Sequence, residues 1–210
     1  LERSAAILQD VKSNYEIDLF ARLMEAAGQF AGISDSAQIL STASLRVIAD
    51  HIRSGVFLIA DGVRPGNDGA SYVLRRIIRR GLRHAYKLDI REPFFHELGK
   101  VVIDEMGGAY PTIAEREKEV TEILALEEER FSETLRQGME LLVQAVDKLN
   151  DKQLPGEVAF KLYDTYGFPV DLTADVIREQ GLEVDMDAFD ACMEEQRERG
   201  RSAATFSSTL

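Results

Sequence analysis

The sequence predicts an all-α protein, a helical bundle with one long helix or helical hairpin and no substantial sheet. Three observations predict it. Apolar residues recur at helical spacing along most of the 210 residues. No β-type pattern persists for more than four residues. The stretch from Thr112 to Leu149 contains no proline and a single glycine, Gly138.

Taken in order, Ser4 to Val11 reads as a helix. Asp18 to Phe30 places Leu19, Phe20, Leu23 and Ala27 on one face. Asp35 to Ile59 is a longer helical stretch, open to a break, carrying Leu40, Leu45, Ile48, Ile52 and Phe57. Asp61 to Gly69 is dense in turn residues. A basic helix follows over about 70–87, then a helix from Glu92 to Met106 with Pro93 in its first turn. Gly107-Gly108 breaks that helix and Pro111 opens the next. Val120, Leu124, Phe131, Leu135, Leu142, Val146 and Leu149 then form a seam, with Glu127-Glu128-Glu129 read as a solvated face. Leu154-Pro155-Gly156 reads as a hinge. Helices are expected over about 172–180 and 186–199, followed by a small, polar, frayed tail from Ser202 to Leu210.

Composition bounds the function. The net charge is −12, divided unevenly: residues 1–100 carry +2 and residues 101–210 carry −14. No apolar run reaches the length of a membrane span. The start, Leu1-Glu2-Arg3-Ser4, has neither a signal peptide nor an initiator Met, so a piece of a longer chain is expected. A single cysteine, Cys192, excludes an internal disulfide and a cysteine-based zinc site; a packed thiol in a cytosolic protein is expected. Monomeric behaviour is expected too.

One helix stands apart. Arg75, Arg76, Arg79, Arg80 and Arg83 fall within an arc of roughly 140° at about 100° per residue. Val73, Leu74, Ile77, Ile78, Leu82 and Ala85 occupy the other side. Arginine-rich helices are commonly solvated faces paired with carboxylates. In an acidic chain, however, a basic face marks a focused site for an anionic partner. The Pro65–Gly69 loop stands at the start of this helix, an arrangement suited to nucleic acid. Asn67 in that loop reads equally as a turn residue or as a group that donates to and accepts from a base edge. Asp164, between two tyrosines, reads as a cap or turn residue, or as an acceptor for the exocyclic amine of guanine.

Other chemistry has little support. No glycine-rich phosphate loop of the dinucleotide or P-loop type occurs. His51, His84 and His96 lie apart without ligand spacing and read as core or helix-surface residues. No catalytic constellation is evident.

Two stretches carry a resemblance: RVIADHIRSGVFLIADGVRPGNDGASYVLRRIIRRGLRH and AFKLYDTYGFPVDLTADV. They closely resemble the alanyl-tRNA synthetases, members of class II, and the likeness runs from Leu1 to about Ser202. It implies a helical tRNA-recognition region lying between the aminoacylation core and the editing domain. Residues 1–15 would then be the end of the catalytic core leading into the helices, with Arg3 a remnant of the family's motif 3. Residues 16–150 would be the first part of the recognition domain, including the basic helix 70–87 and the long segment 112–149. Residues 151–201 would be its C-terminal helical part, and 202–210 the tail.

The resemblance also implies a function. The full enzyme would join alanine to its tRNA with ATP, releasing AMP and pyrophosphate. Asn67 and Asp164 would flank a G·U wobble pair in the acceptor stem of the alanine tRNA, and Arg75, Arg76, Arg79, Arg80 and Arg83 would contact the RNA. The remaining partners would be the catalytic and editing domains of the same chain, with no DNA. ATP, magnesium and zinc are implied for the full enzyme and none of them for this stretch, which would not activate alanine alone. The family loop often reads P-S-N-E-G-R-G-Y, whereas Pro65 to Tyr72 here reads PGNDGASY, changing the loop around an unaltered Asn67. The competing class is an all-helical interaction or regulatory module that docks on an acidic protein surface.

Overall fold

The computed structural model describes the backbone of residues 2–149 and 151–207, and the side chains of 2–149 and 151–198. The chain is all-α, with eleven α-helices among the described residues. By its own contacts it forms two compact units, Leu1–Ser132 and Glu133–Leu210.

The first unit is built around a central hydrophobic helix. Helix α1 (Glu2–Leu8) and a 3-10 turn (Asn14–Glu16) lead into α2 (Asp18–Phe30). The expected 35–59 stretch is broken: α3 (Ser36–Ser41) ends at Thr42, and α4 (Ala43–Ala60) begins there. Asp35 starts α3 by accepting from the Gln38 amide at 2.7 Å. Leu45, Ile48, Ile52, Val56 and Ile59 of α4 are fully buried. Around α4 pack α2, α5 (Gly69–Lys87), α6 (Phe95–Met106) and α7 (Pro111–Glu115). Arg116 closes the far end of α4, donating from Nη1 to the Ala60 carbonyl.

After α7 the chain resumes as one continuous helix, α8 (Glu117–Val146), and not as a hairpin. Val120, Leu124, Phe131, Leu135 and Leu142 are buried along it, as the periodicity predicts, whereas Val146 is half-buried at its end and Leu149 lies beyond it. The glutamate run is not the solvated face expected of it. Glu127 and Glu128 are 4% and 3% exposed, and only Glu129 points outward. The reason is register. At about 100° per residue, positions 127 and 128 fall on either edge of the buried stripe, and position 129 falls opposite.

Glu128 in turn explains a second departure. Helix α6 starts at Phe95, two residues beyond Pro93, because Glu128 accepts the amides of Phe94 and Phe95 at 3.1 and 3.0 Å. A carboxylate distant in sequence thus caps a helix whose own neighbours supply no cap.

In the second unit, β1 (Gln153–Leu154) and β2 (Glu183–Val184) make a minimal parallel pair, Gln153 against Glu183 and Leu154 against Val184. Between them lie α9 (Gly156–Tyr166) and α10 (Val170–Arg178), and α11 (Met186–Ser207) follows. Packed rings of Phe160, Tyr163 and Phe189 join α9 to α11, with centroids 6.0–6.4 Å apart. Cys192 is half-buried on α11. The frayed tail expected from Ser202 falls on residues whose side chains, and after Ser207 whose backbone, lie outside the described residues.

Candidate nucleic-acid interface

Helix α5 has its basic arc, but the arc is divided. Arg76 and Arg80 are exposed, while Arg75 and Arg79 are partly covered and Arg83 is 4% exposed. Arg79 donates from Nε to Glu127 at 2.8 Å and lies over the Phe131 ring, 4.7 Å from its centroid. The first half of α8 therefore covers the flank of α5 that bears Arg79. The opposite edge faces outward, where Val73, assigned to the apolar side from spacing alone, is 44% exposed beside Arg76, Arg80 and Lys87. Burial follows from the neighbouring helix, which the pattern of α5 cannot report.

His84 continues the inward side. Its Nδ1 lies 3.0 Å from the Ser44 hydroxyl. Burial, then the charges of Arg83, Arg80, His51 and Lys87, lower its pKa from 6.5 to about 4. Between those values the unfolded chain binds the proton and the folded chain does not. The stability His84 contributes is therefore complete above pH 6.5 and is lost as pH falls toward 4. We expect His84→Gln to flatten the pH dependence of the melting temperature in that window; an unchanged profile would contradict it.

The loop before α5 presents Asn67 at the surface, with Oδ1 accepting from Arg75 Nη1 at 2.5 Å. Gly66 and Ser71 close the loop: the Gly66 amide donates to the Ser71 carbonyl at 3.0 Å. A Cβ on Gly66 would lie 2.6 Å from the Ser71 Cβ, so only one of the two positions has room for a side chain. That accounts for the exchange relative to the P-S-N-E-G-R-G-Y loop, in which the serine stands at the first of these positions and the glycine at the second. We expect Gly66→Ser alone to cost about 1–3 kcal/mol, and Gly66→Ser with Ser71→Gly to recover most of it. Equal melting of the single and double variants would refute this complementarity.

Asp164 is exposed in the last turn of α9, which ends at Gly167 in the left-handed region, φ 63°. It is neither an N-cap nor a turn residue, and its Oδ1 accepts from the Gln196 side chain of α11. A carboxylate at a helix C-terminus opposes the helix dipole. Arg3, on α1, is exposed. Asn67 and the arginines thus belong to the first unit, and Asp164 to the second.

Two features escaped the sequence reading. Gln196 had no signal, because its role depends on α11 returning to α9. Glu127 had one: it continues the spacing of the seam between Leu124 and Phe131.

A basic helix preceded by a polar loop, in an all-helical protein, offers a cationic edge to an anionic partner. Residues 1–210 match the family of tRNA synthetases class II (A), and the chain belongs to that family. Among characterised relatives it is 58% identical over 207 residues to alanine–tRNA ligase of Methylococcus capsulatus, covering 99% of this chain and 23% of that protein. It is 55% identical over 212 residues to the alanine–tRNA ligases of Burkholderia thailandensis and Burkholderia mallei, covering 100% of this chain and 24% of each. The chain thus spans about a quarter of the length of these relatives.

Among the described residues, no group of three or more His, Cys, Asp or Glu is placed to hold a metal ion. No helix of the described residues is long and apolar enough to cross a membrane.

Proposed function

We propose that this chain is the tRNA-recognition portion of a cytoplasmic alanine–tRNA ligase, and that it reads the G·U wobble pair of the acceptor stem from the minor groove. The whole enzyme would attach alanine to that tRNA with ATP, using catalytic and editing domains supplied by the longer chain. The observation that carries the reading is the placement of two polar side chains at the surface, Asn67 ahead of the basic helix and Asp164 at the end of α9. The family and the relatives named above support it.

The chemistry is specific. A-form RNA exposes base edges in a wide, shallow minor groove. In a G·U wobble the guanine 2-amino group has no pairing partner and lies in that groove. An ionised Asp is acceptor-only and suits that amine, whereas Asn supplies a complementary contact to the pair. Arg76 and Arg80 supply phosphate contacts, which fix register without reading sequence.

The test is a titration of the 210-residue chain with matched G·U and G·C acceptor hairpins across a salt series. Asn67→Ala and Asp164→Asn are each expected to reduce the G·U preference, by about 1–3 kcal/mol for a good contact. Arg76→Ala and Arg80→Ala should weaken both hairpins equally and lower the salt slope by just under one unit per phosphate contact, roughly 0.7–0.9. A wild-type chain that binds both hairpins alike would leave the protein-docking module as the better reading. Asp164→Ala that loses stability but keeps the preference would make Asp164 structural.

A further inference from the structure

Each of the two proposed readers has one side-chain oxygen engaged by a residue that the function above does not use for reading. Asn67 Oδ1 accepts from Arg75, eight residues along, on α5. Asp164 Oδ1 accepts from Gln196, thirty-two residues along, on α11. We propose that Arg75 and Gln196 are positioning residues, which orient Asn67 and Asp164 so that the Asn67 amide NH2 and the Asp164 Oδ2 are turned toward the RNA. This rests on the G·U reading and goes beyond it by assigning two residues that touch the readers and not the base pair.

The chemistry of each contact matches its task. With Oδ1 held by a guanidinium, Asn67 is turned so that its amide NH2 faces away from Arg75. The amide NH2 is then the outward group, and the cation on its oxygen strengthens it as a donor. This Arg75 side chain is partly covered and its Nε is buried without a hydrogen-bond partner, so the side chain lies along the protein instead of trailing into solvent toward phosphate.

Gln196 treats Asp164 in the complementary way. Its amide is neutral, so it fixes Oδ1 without cancelling the carboxylate charge. Oδ2 remains a charged acceptor, the group a guanine amine requires. A lysine or arginine in that place would hold the carboxylate equally well and weaken it as an acceptor. The contact also offsets the unfavourable end of the α9 dipole, which would otherwise turn an exposed carboxylate away from the helix end. One reader thus becomes a donor and the other an acceptor, which removes the rotameric freedom that lets a surface Asn or Asp satisfy the wrong pair.

The experiment uses the same chain and the same two hairpins. Gln196→Ala and the isosteric Gln196→Glu, which lacks a donor, should each lower the G·U to G·C preference about three- to tenfold. Melting temperature and G·C affinity should not change. Arg75→Met should do the same, and Arg75→Lys, which keeps a donor, should retain most of the preference. If Arg75→Met weakens both hairpins equally and lowers the salt slope, Arg75 is a phosphate contact and its assignment here is overturned. If both Gln196 variants keep the wild-type preference, its assignment is overturned while the G·U reading stands. A wild-type chain without preference removes the reading and this inference together, an outcome visible before any variant is made.

Discussion

Glu127→Ala is expected to destabilise the first unit by up to about 3–5 kcal/mol, because it removes the buried carboxylate paired with the largely covered Arg79 guanidinium. The pair is close, at 2.8 Å, and its side chains are 13% and 5% exposed. Removing one member leaves the other largely covered and deprived of its counter-charge, a cost that adds to the lost attraction. Arg79→Ala should cost a similar amount, since it orphans Glu127 and also removes the group that lies over Phe131. The double variant Arg79→Met with Glu127→Leu should be far milder than the two single losses added, because a buried ion pair replaced by apolar groups of similar volume is often neutral. Urea denaturation of the four proteins measures this directly. A Glu127→Ala midpoint within error of wild type would show that Arg79 finds water or another partner. The comparison also separates the arginines, since Arg76→Ala and Arg80→Ala, at exposed positions, should cost less than Arg79→Ala.

Glu128→Ala is the second large effect. It leaves the amides of Phe94 and Phe95 without their acceptor at the buried start of α6, costing about 1–3 kcal/mol. Burial raises the Glu128 pKa, and the two amides and His96 pull it back. Glu128→Gln is therefore expected to lose less than Glu128→Ala. The neutral amide keeps one acceptor oxygen and escapes the cost of burying a charge. Equal losses for the two would mean that the cap needs the charge itself. The raised pKa has a further consequence. The stabilisation from Glu128 is fullest below its ordinary value of 4.5 and is lost as pH rises through its folded value. That slope opposes the His84 contribution, so the two variants should tilt the pH–stability profile in opposite directions.

The all-α class was legible because helical periodicity is a local property, written into residues three and four apart. Asp18–Phe30, the basic helix and the seam from Val120 to Leu142 all follow from it. Asn67 and Asp164 were legible as candidates because a loop asparagine beside arginines, and an aspartate before Gly167 and Pro169, stand out against their neighbours.

What each group meets across space was not legible. The arginines of α5 look alike in a helical projection, yet α8 covers Arg79 and leaves Arg76 and Arg80 outside. A run of three glutamates looks like a solvated face, yet two of them enter the core, because one helix needs a cap and one arginine needs a counter-charge. The partners of the two readers were unreadable for the same reason in different degree. Arg75 is eight residues from Asn67, whereas Gln196 reaches Asp164 only once α11 folds back on α9. Periodicity determines which side of a helix is apolar; only the neighbouring helix decides which charges are covered, because desolvation and pairing depend on what lies opposite.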